Sequence, residues 1–339
     1  MSTRITRRRR ARDSRSPFAS TLTSPRVANR IVDNVRVDEE ARRHRTAALL
    51  IRAAPPAATL AWLVEAVDAD TVVACEPMAG AGTSAMHHVT LRNRDNTEHR
   101  VVMRRYVLAG YLEHEPDAAN TEIVALKLAA TAAVPTPDLV AADPTAEHCD
   151  APTVVMSELD GRPVWDLGDR TLDQLVDAVT AIHDVNIDHA PIRGIGRYHQ
   201  RSYAAPRWTT APAAWEQAVE IFHGPIPQVD VGFVHRDFYP GNTLWRRRRL
   251  TGIIDWQAAC RGPASIDISH CRLNVAYTNP GLADRLRDIW QTRTGRTFHP
   301  WADIATIIGA LDNLRDTPPG TNARHAIDHM IHDAVTELT

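Results

Sequence analysis

The sequence predicts an α+β protein of two lobes, the first rich in β-strands and the second mainly helical. The chain has 339 residues, which is long enough for two domains with a sizeable core. Short apolar runs separated by turn residues fill positions 71–107, as strands do. From Leu172 onwards the apolar residues recur instead at helical spacing. We expect a tail over 1–35, an N-lobe over 36–156 and a C-lobe over 157–339.

The N-terminal tail is expected to be disordered. Its first thirty residues are rich in Arg, Ser and Thr, contain one acidic residue, Asp13, and show no apolar periodicity. Such a start also imitates an organellar transit peptide, and a basic arm for nucleic acid or lipid is a further alternative. A solvated tail without a role in the chemistry is the preferred interpretation.

Composition argues against several classes of partner. The formal net charge of −2 gives no reason to expect nucleic acid or an anionic membrane as a partner. No apolar run approaches the roughly twenty residues of a membrane span. The four cysteines are scattered, which favours reduced thiols and a cytoplasmic protein. Neither His270 with Cys271 nor His87 with His88 has a partner pair at metal-ligand spacing.

The expected N-lobe begins with a helix at 59–67, followed by strands at 71–76, 84–93 and 100–107. The loop between the first two strands contains Gly80 and Gly82 and ends at Ser84. Glycines allow backbone N–H groups to approach phosphates closely, so these three residues are candidates for phosphate binding. The alternative is that the glycines serve only to turn a hairpin.

The rest of the chain is expected to be mostly helical. A helix at 120–131 ends before Pro135, and a buried strand covers 153–156. Thr171 and Gln174 have the spacing of a capping box at the start of the next helix. Further helices are expected at 282–290 and 304–314, after an aromatic- and proline-bearing insertion at 191–227.

The functional motif lies between Val231 and Asp267. His-Arg-Asp at positions 235–237 is followed five residues later by Asn242, and Asp255 comes thirteen residues after that. Transfer of a phosphoryl group requires positioning and charge neutralisation. Asn242 and Asp255 offer the oxygen ligands that Mg²⁺ prefers, and Asp237 is the candidate to accept the proton of the attacking hydroxyl. The alternative is that these polar residues merely form turns.

Residues 235–242, His-Arg-Asp-Phe-Tyr-Pro-Gly-Asn, together with Ile-Asp-Trp at 254–256 resemble the aminoglycoside phosphotransferase and choline kinase superfamily. No Ala-Pro-Glu follows Asp255, and the distance to Asp267 is too short for the activation loop of a protein kinase. The resemblance implies a bilobal protein-kinase-like fold that uses ATP and Mg²⁺ to phosphorylate a hydroxyl of a small molecule. No residue selects the acceptor. A nucleotide-binding pseudokinase is the alternative.

The same resemblance implies a nucleotide site. Relatives commonly carry a lysine on the third strand, paired with an acid on the next helix, and this chain has Arg104 at that place. Arg105 is the second candidate, because neighbouring strand residues face opposite sides. Glu122 is the candidate acid, although it would also suit the first turn of a helix. The hinge that pairs with adenine would be Ser157, Glu158 and Leu159.

Two further residues near the motif are expected to act structurally. His235 is expected to be a hydrogen-bonded anchor, because Asp237 has the better position for a base. Asp267 is expected to bind the backbone of the loop that carries Asp237. A second carboxylate at the acceptor site remains the alternative for Asp267.

Overall fold

The computed structural model describes residues 45–79, 82–165 and 167–339. The tail expected at 1–35 and the loop residue Gly80 lie outside these ranges. Within them, the α+β fold with a β-rich N-lobe and a mainly helical C-lobe is confirmed. The expected division after Met156 falls one residue before the end of the last strand of the main sheet.

The N-lobe is built on an antiparallel sheet with the strand order β1-β2-β3-β5-β4. Its strands are β1 (Thr71–Pro77), β2 (Ala85–Arg92), β3 (Glu98–Arg105), β4 (Leu139–Asp143) and β5 (Thr153–Ser157). Residues from three strands, Val89, Met103 and Val155, pack with Leu63 in a buried apolar cluster. Four of the strands match the expected strands closely, and β4 is an addition.

The helices of the N-lobe precede the sheet or lie between β3 and β4. They are α1 (Arg45–Arg52), α2 (Ala57–Ala66), α3 (Ala109–His114) and α4 (Ala118–Ala129). Because α4 begins two residues earlier than expected, Glu122 lies beyond its first turn. The Glu122 side chain is also completely buried. The interpretation of Glu122 as an ordinary first-turn acid is therefore wrong.

The C-lobe packs its helices around one large apolar core. These helices are α5 (Asp169–His183), α6 (Pro212–His223), α7 (Ser265–Ala276), α8 (Pro280–Thr294), α9 (Trp301–Gly309), α10 (Leu311–Asp316) and α11 (Thr321–Leu338). Two antiparallel strand pairs lie among them: β6 (Val231–Val234) with β9 (Cys260–Pro263), and the hairpin of β7 (Thr243–Arg246) with β8 (Arg249–Ile253).

Two local expectations for the C-lobe are wrong. The helix expected at 304–314 is divided into α9 and α10, because the Gln200 side chain bonds the carbonyl of Gly309 and the N–H of Asp312 at the break. The expected capping box is also absent. Thr171 is the third residue of α5, where its hydroxyl accepts a bond from the N–H of Gly168.

Gln174, the other half of the expected capping box, has a tertiary role. Its amide donates to the carbonyl of Arg248 over 3.1 Å, and its oxygen accepts from the N–H of Leu250 over 3.2 Å. These bonds attach α5 to the turn between β7 and β8.

Within the described ranges, no single helix is long and apolar enough to cross a membrane. Helices α1 and α2, taken together as a bent pair, have the length and composition of a membrane span.

Candidate active site

The loop that carries Asp237 connects β6 to β7, and a buried aspartate holds its backbone. Oδ2 of Asp267 accepts the N–H of His235 over 2.9 Å, and Oδ1 accepts the N–H of Arg236 over 2.6 Å. Nε2 of His183 lies 3.0 Å from Oδ2. Burial opposes the charge of Asp267, but these hydrogen bonds outweigh it and lower the pKa of the carboxyl group. Asp267 is fully buried, so the alternative of an acceptor-site carboxylate is wrong.

The backbone of this loop takes a left-handed turn at Arg236, where φ is 68°. The side chain of Arg236 is buried and holds this unusual backbone conformation in place. Its Nη2 donates to the carbonyl of Gly196 over 2.6 Å, and its guanidinium lies 4.0 Å from the centre of the Tyr198 ring. The insertion at 191–227 is thereby connected to the loop that carries Asp237.

His235 is an internal anchor, in agreement with the sequence. Its Nε2 donates to the carbonyl of Ile254 over 3.0 Å, and its Nδ1 accepts the N–H of Asp237 over 3.3 Å. The ring is fully buried and lies 4.5 Å from the ring of Trp256. Because both nitrogens are engaged, His235 is not placed to act as a base.

Asp237 and Asn242 are brought together as their spacing indicated. The Asn242 side chain donates from Nδ2 to the backbone carbonyl of Asp237 over 2.9 Å and to its Oδ2 over 2.8 Å. The other carboxylate oxygen, Oδ1, lies 3.2 Å from Nε2 of His270. Burial raises the pKa of Asp237, while the His270 charge opposes that change. The side chain remains 31% exposed, so an incoming hydroxyl has access to it.

Asp255 lies two residues after the end of β8 and has a left-handed backbone conformation, with φ of 70°. The preceding residue donates its N–H to the backbone carbonyl of Asn242 over 3.0 Å, so the two candidate metal ligands lie on adjacent, hydrogen-bonded segments. The Asn242 amide turns Nδ2 towards Asp237, which leaves Oδ1 for a cation. One amide and one carboxylate oxygen suit Mg²⁺ that also binds phosphates and water. Across the described ranges, no group of three or more His, Cys, Asp or Glu is arranged to hold a metal.

Arg104 is 2% exposed and bridges two acids. Its Nη1 lies 2.9 Å from Oδ1 of Asp255 and 3.2 Å from Oε1 of Glu122. Burial opposes the charge of the guanidinium, but the two carboxylates outweigh it and raise the pKa of Arg104 well above its usual value. Burial also raises the pKa of Glu122, against the lowering effect of Arg104.

Tyr106 completes the environment of Glu122. Its hydroxyl donates to Oε2 of Glu122 over 2.9 Å, and both side chains are buried. The pKa of the Tyr106 hydroxyl is raised well above its usual value, first by burial and then by the negative charge of Glu122. Tyr106 therefore remains a hydrogen-bond donor that fixes the acid beside Arg104.

Arg105 faces away from this site. Its Nη1 lies 2.6 Å from Oδ2 of Asp150, and its Nη2 donates to the carbonyl of Ala53 over 2.6 Å. The alternation of side chains along β3 thus separates the two arginines, and Arg104 is the one beside Asp255.

The glycine-bearing loop between β1 and β2 is described except for residues 80 and 81. A Cβ atom on Gly82 would have no neighbour within 4 Å, so this glycine is not required by packing. Ser84 is buried directly before β2. Thr83 is connected to the opposite lobe, because its hydroxyl accepts a bond from Nε2 of Gln257 over 3.2 Å. Gln257 follows Asp255 by two residues, and its other end lies 3.3 Å from the Tyr111 hydroxyl.

At the expected hinge, the structure limits which groups can meet adenine. The N–H of Ser157 already donates to the carbonyl of Asp138 over 2.9 Å. The Glu158 carboxylate forms ion pairs with His88 at 3.0 Å and with Arg100 at 3.1 Å. Backbone groups of Glu158 and Leu159, and the carbonyl of Ser157, are left as candidates.

Sequence reasoning missed three contributors to the site. His270 was considered only as a metal ligand, although it lies three residues after Asp267 and so on the same side of a helix. Tyr106 and Gln257 each follow a predicted site residue by two positions, Arg104 and Asp255 respectively. Nothing in their own sequence context distinguishes them from ordinary polar or aromatic residues.

A family model described as the phosphotransferase enzyme family matches residues 80–304. The fold is similar to that of a thermostable mutant of the aminoglycoside phosphotransferase APH(4)-Ia in ternary complex with ADP and hygromycin B, with a TM-score of 0.55, 13% identity, and coverage of 82% of this chain and 98% of that chain. It is also similar to macrolide 2'-phosphotransferase MphH from Brachybacterium faecium, with a TM-score of 0.50, 17% identity, and coverage of 81% and 98%. No curated protein sequence matches the chain at a significant level.

Proposed function

Because the chain belongs to the phosphotransferase enzyme family, we propose that it transfers the γ-phosphoryl group of ATP, with Mg²⁺, to a hydroxyl group of a small molecule. The observation that carries this proposal is the meeting of Asp237, Asn242 and Asp255 on adjacent loops, with Arg104 beside Asp255. The four residues come from three separate stretches of chain, the loop with Asp237 and Asn242, the segment after β8 and strand β3, so their assembly at one place is specific to this fold.

In the proposed reaction, Asp237 orients the acceptor hydroxyl and receives its proton. The hydroxyl oxygen forms a bond to the γ-phosphorus as the bond between that phosphorus and the leaving oxygen of ADP breaks. Asn242 and Asp255 would hold Mg²⁺, which when bound neutralises charge on the phosphate oxygens. Arg104 contributes a permanent positive charge on the other side of Asp255.

For the nucleotide, we propose that Arg104 contacts the α- and β-phosphates while Glu122 holds its guanidinium. The loop with Gly80, Gly82 and Ser84 would cover the phosphates, and the bond between Thr83 and Gln257 supports a position of this loop over the site. The adenine would pair with backbone groups in 157–159. Leu159 supports this placement, because with Leu244 it packs closely over Gly252 and so offers an apolar surface there.

For the acceptor, we propose a compound that carries a ring with an apolar face. Tyr239 lies two residues after Asp237, and its ring centre is 5.8 Å from that of Trp165, which is 46% exposed. The two rings are tilted by 51° to each other and offer aromatic faces to a ring of the acceptor. Hygromycin B in the complex of APH(4)-Ia, and the macrolides named for MphH, are starting points for the search.

The experiment is a screen of hydroxyl acceptors with the purified full-length protein, in which ADP release is measured with Mg²⁺-ATP and each product is analysed by mass spectrometry. Asp237→Asn is the control, because it retains the shape of the side chain and lacks the basic carboxylate. We expect at least one acceptor to gain 80 Da, the mass of a phosphoryl group. Mg²⁺-ATP that raises the melting temperature without turnover of any acceptor would instead favour the nucleotide-binding pseudokinase.

A further inference from the structure

We propose that the imidazolium of His270, on α7, positions the Asp237 carboxylate. This role is not part of the phosphotransfer proposal above, although it rests on that proposal. The two side chains meet at 3.2 Å, between Nε2 of the ring and Oδ1 of the acid. His270 is 22% exposed, so it lies at the edge of the site and not within the core.

The hydrogen-bond partners determine the state of the ring. Nδ1 of His270 lies 2.8 Å from the backbone carbonyl oxygen of Arg236, which can only accept a hydrogen bond. Nε2 faces a carboxylate oxygen, which when ionised is also only an acceptor. A ring that carries hydrogen on both nitrogens satisfies both neighbours at once, and in that form it makes an ion pair with the ionised Asp237.

With this ion pair, the Asp237 carboxylate is held at both of its oxygens. Oδ2 of Asp237 receives the Asn242 amide at 2.8 Å, and Oδ1 receives His270, so each oxygen has one donor. A carboxylate oxygen has a second lone pair, which leaves both oxygens able to accept the proton of an incoming hydroxyl. Two donors fix the plane of the carboxylate, and orientation of a reacting group is a major source of catalytic rate.

His270 is itself held firmly. The Tyr239 ring stacks against it with an angle of 7° and a separation of 5.6 Å between ring centres. Asp267, one helical turn earlier on α7, binds the N–H groups of His235 and Arg236. One helix thus contacts the catalytic loop through two backbone N–H groups, one carbonyl and the Asp237 side chain.

A matched pair of variants separates positioning from simple packing. In His270→Gln, the amide nitrogen reaches approximately the place of Nε2 and can still donate to Asp237. In His270→Asn, the shorter amide reaches approximately the place of Nδ1 and retains only the bond to the Arg236 carbonyl. With the acceptor identified in the screen, we expect His270→Asn to lower kcat by about 10- to 100-fold, the usual effect of removing a group that orients a site residue. The KM for ATP should stay within about twofold of the wild-type value. His270→Gln should retain most of the turnover that His270→Asn loses.

Equal losses in both variants, or wild-type kcat in His270→Asn, would overturn the positioning role. A readout without turnover keeps this test separate from the test of the phosphotransferase activity. Side-chain ¹⁵N NMR of the full-length protein at neutral pH reports whether each ring nitrogen carries hydrogen. The His270 signals, assigned by their loss in His270→Gln, should be those of an imidazolium in the wild type and of a neutral ring in Asp237→Asn. A neutral ring in the wild type, or an unchanged ring in Asp237→Asn, would overturn the inference even if an acceptor is phosphorylated.

Discussion

Nη1 of Arg104 lies 2.9 Å from Oδ1 of Asp255, although the arginine is on β3 of the N-lobe sheet and the aspartate follows β8 in the C-lobe. The same nitrogen lies 3.2 Å from Glu122, so one buried guanidinium connects two carboxylates. A lysine ammonium ends a side chain that is one bond shorter, so it does not reach the position of Nη1 between the two acids. The arginine therefore has a geometric role as well as a charge.

The change Arg104→Lys tests this role. The charge is retained, but the lysine side chain is shorter. Its ammonium should therefore pair with one of the two carboxylates and leave the other without its partner. We expect kcat/KM for ATP to fall by about 10-fold, equivalent to about 1.4 kcal/mol. Arg105→Lys is the matched control on the opposite face of the strand, where it should lower the melting temperature without changing the KM for ATP. Equal effects of the two changes on nucleotide use would contradict the orientation of β3 described above.

The change Asp255→Ala tests metal binding. It should abolish turnover of Mg²⁺-ATP, since a hard cation loses its carboxylate ligand. Binding of ATP in EDTA, measured by calorimetry, should weaken much less, because the hinge is distant in sequence and makes no use of the metal. Parallel losses in both measurements would show that Asp255 acts mainly through its ion pair with Arg104.

Tyr106→Phe removes the hydroxyl that donates to Glu122. An unsatisfied buried oxygen costs about 1 to 3 kcal/mol, so the midpoint of urea denaturation should decrease. The KM for ATP should also rise, because Glu122 loses one of the two groups that hold it beside Arg104. The neighbouring ring Tyr111, which stacks on Tyr106 at 6.2 Å, provides the control Tyr111→Phe. That control leaves the Glu122 oxygen bonded and should preserve stability more fully.

Asp267 predicts a pH dependence of stability. Its pKa is lowered in the folded protein, so its ionised form stabilises the fold above the ordinary carboxyl pKa of about 4, and this contribution is lost as the pH falls through the lower folded value. Asp267→Asn removes one partner of a buried network and should lower the free energy of unfolding at pH 7 by about 3 kcal/mol or more. Urea denaturation should show nearly the same difference between wild type and variant at pH 7 and pH 5, and a smaller difference at pH 3.5. A constant difference would mean that the carboxylate charge is unimportant.

The loop that carries Asp237 was predictable because its polar residues are close in sequence. The intervals among Asp237, Asn242 and Asp255 determine a local geometry of two short hairpin strands, and the structure places these side chains on neighbouring segments. Alternation along β3 indicated only that one of Arg104 and Arg105 would face the site, and the resemblance to the family made Arg104 the first candidate.

The helix α7 was not predicted, and the reason is physical. Residues on all its sides are buried, including Ile266, Ser269 and Arg272, so it lacks the single apolar stripe by which a surface helix is recognised. His270 consequently had no predicted element to place it. The division between α9 and α10 escaped prediction because Gln200, more than a hundred residues away, satisfies the groups at the break.

Arg104, which stands where relatives commonly carry a lysine, also changes how this protein can be detected. The sequence contains a single lysine, Lys127, which is an exposed residue of α4. A guanidinium stays protonated and is a poor nucleophile, whereas a lysine amine reacts with acylating reagents. Reagents that deliver an acyl group from a bound nucleotide to a lysine on the third strand would therefore leave this protein unlabelled. A survey of kinases by such labelling would count an active Arg104 enzyme among the inactive proteins.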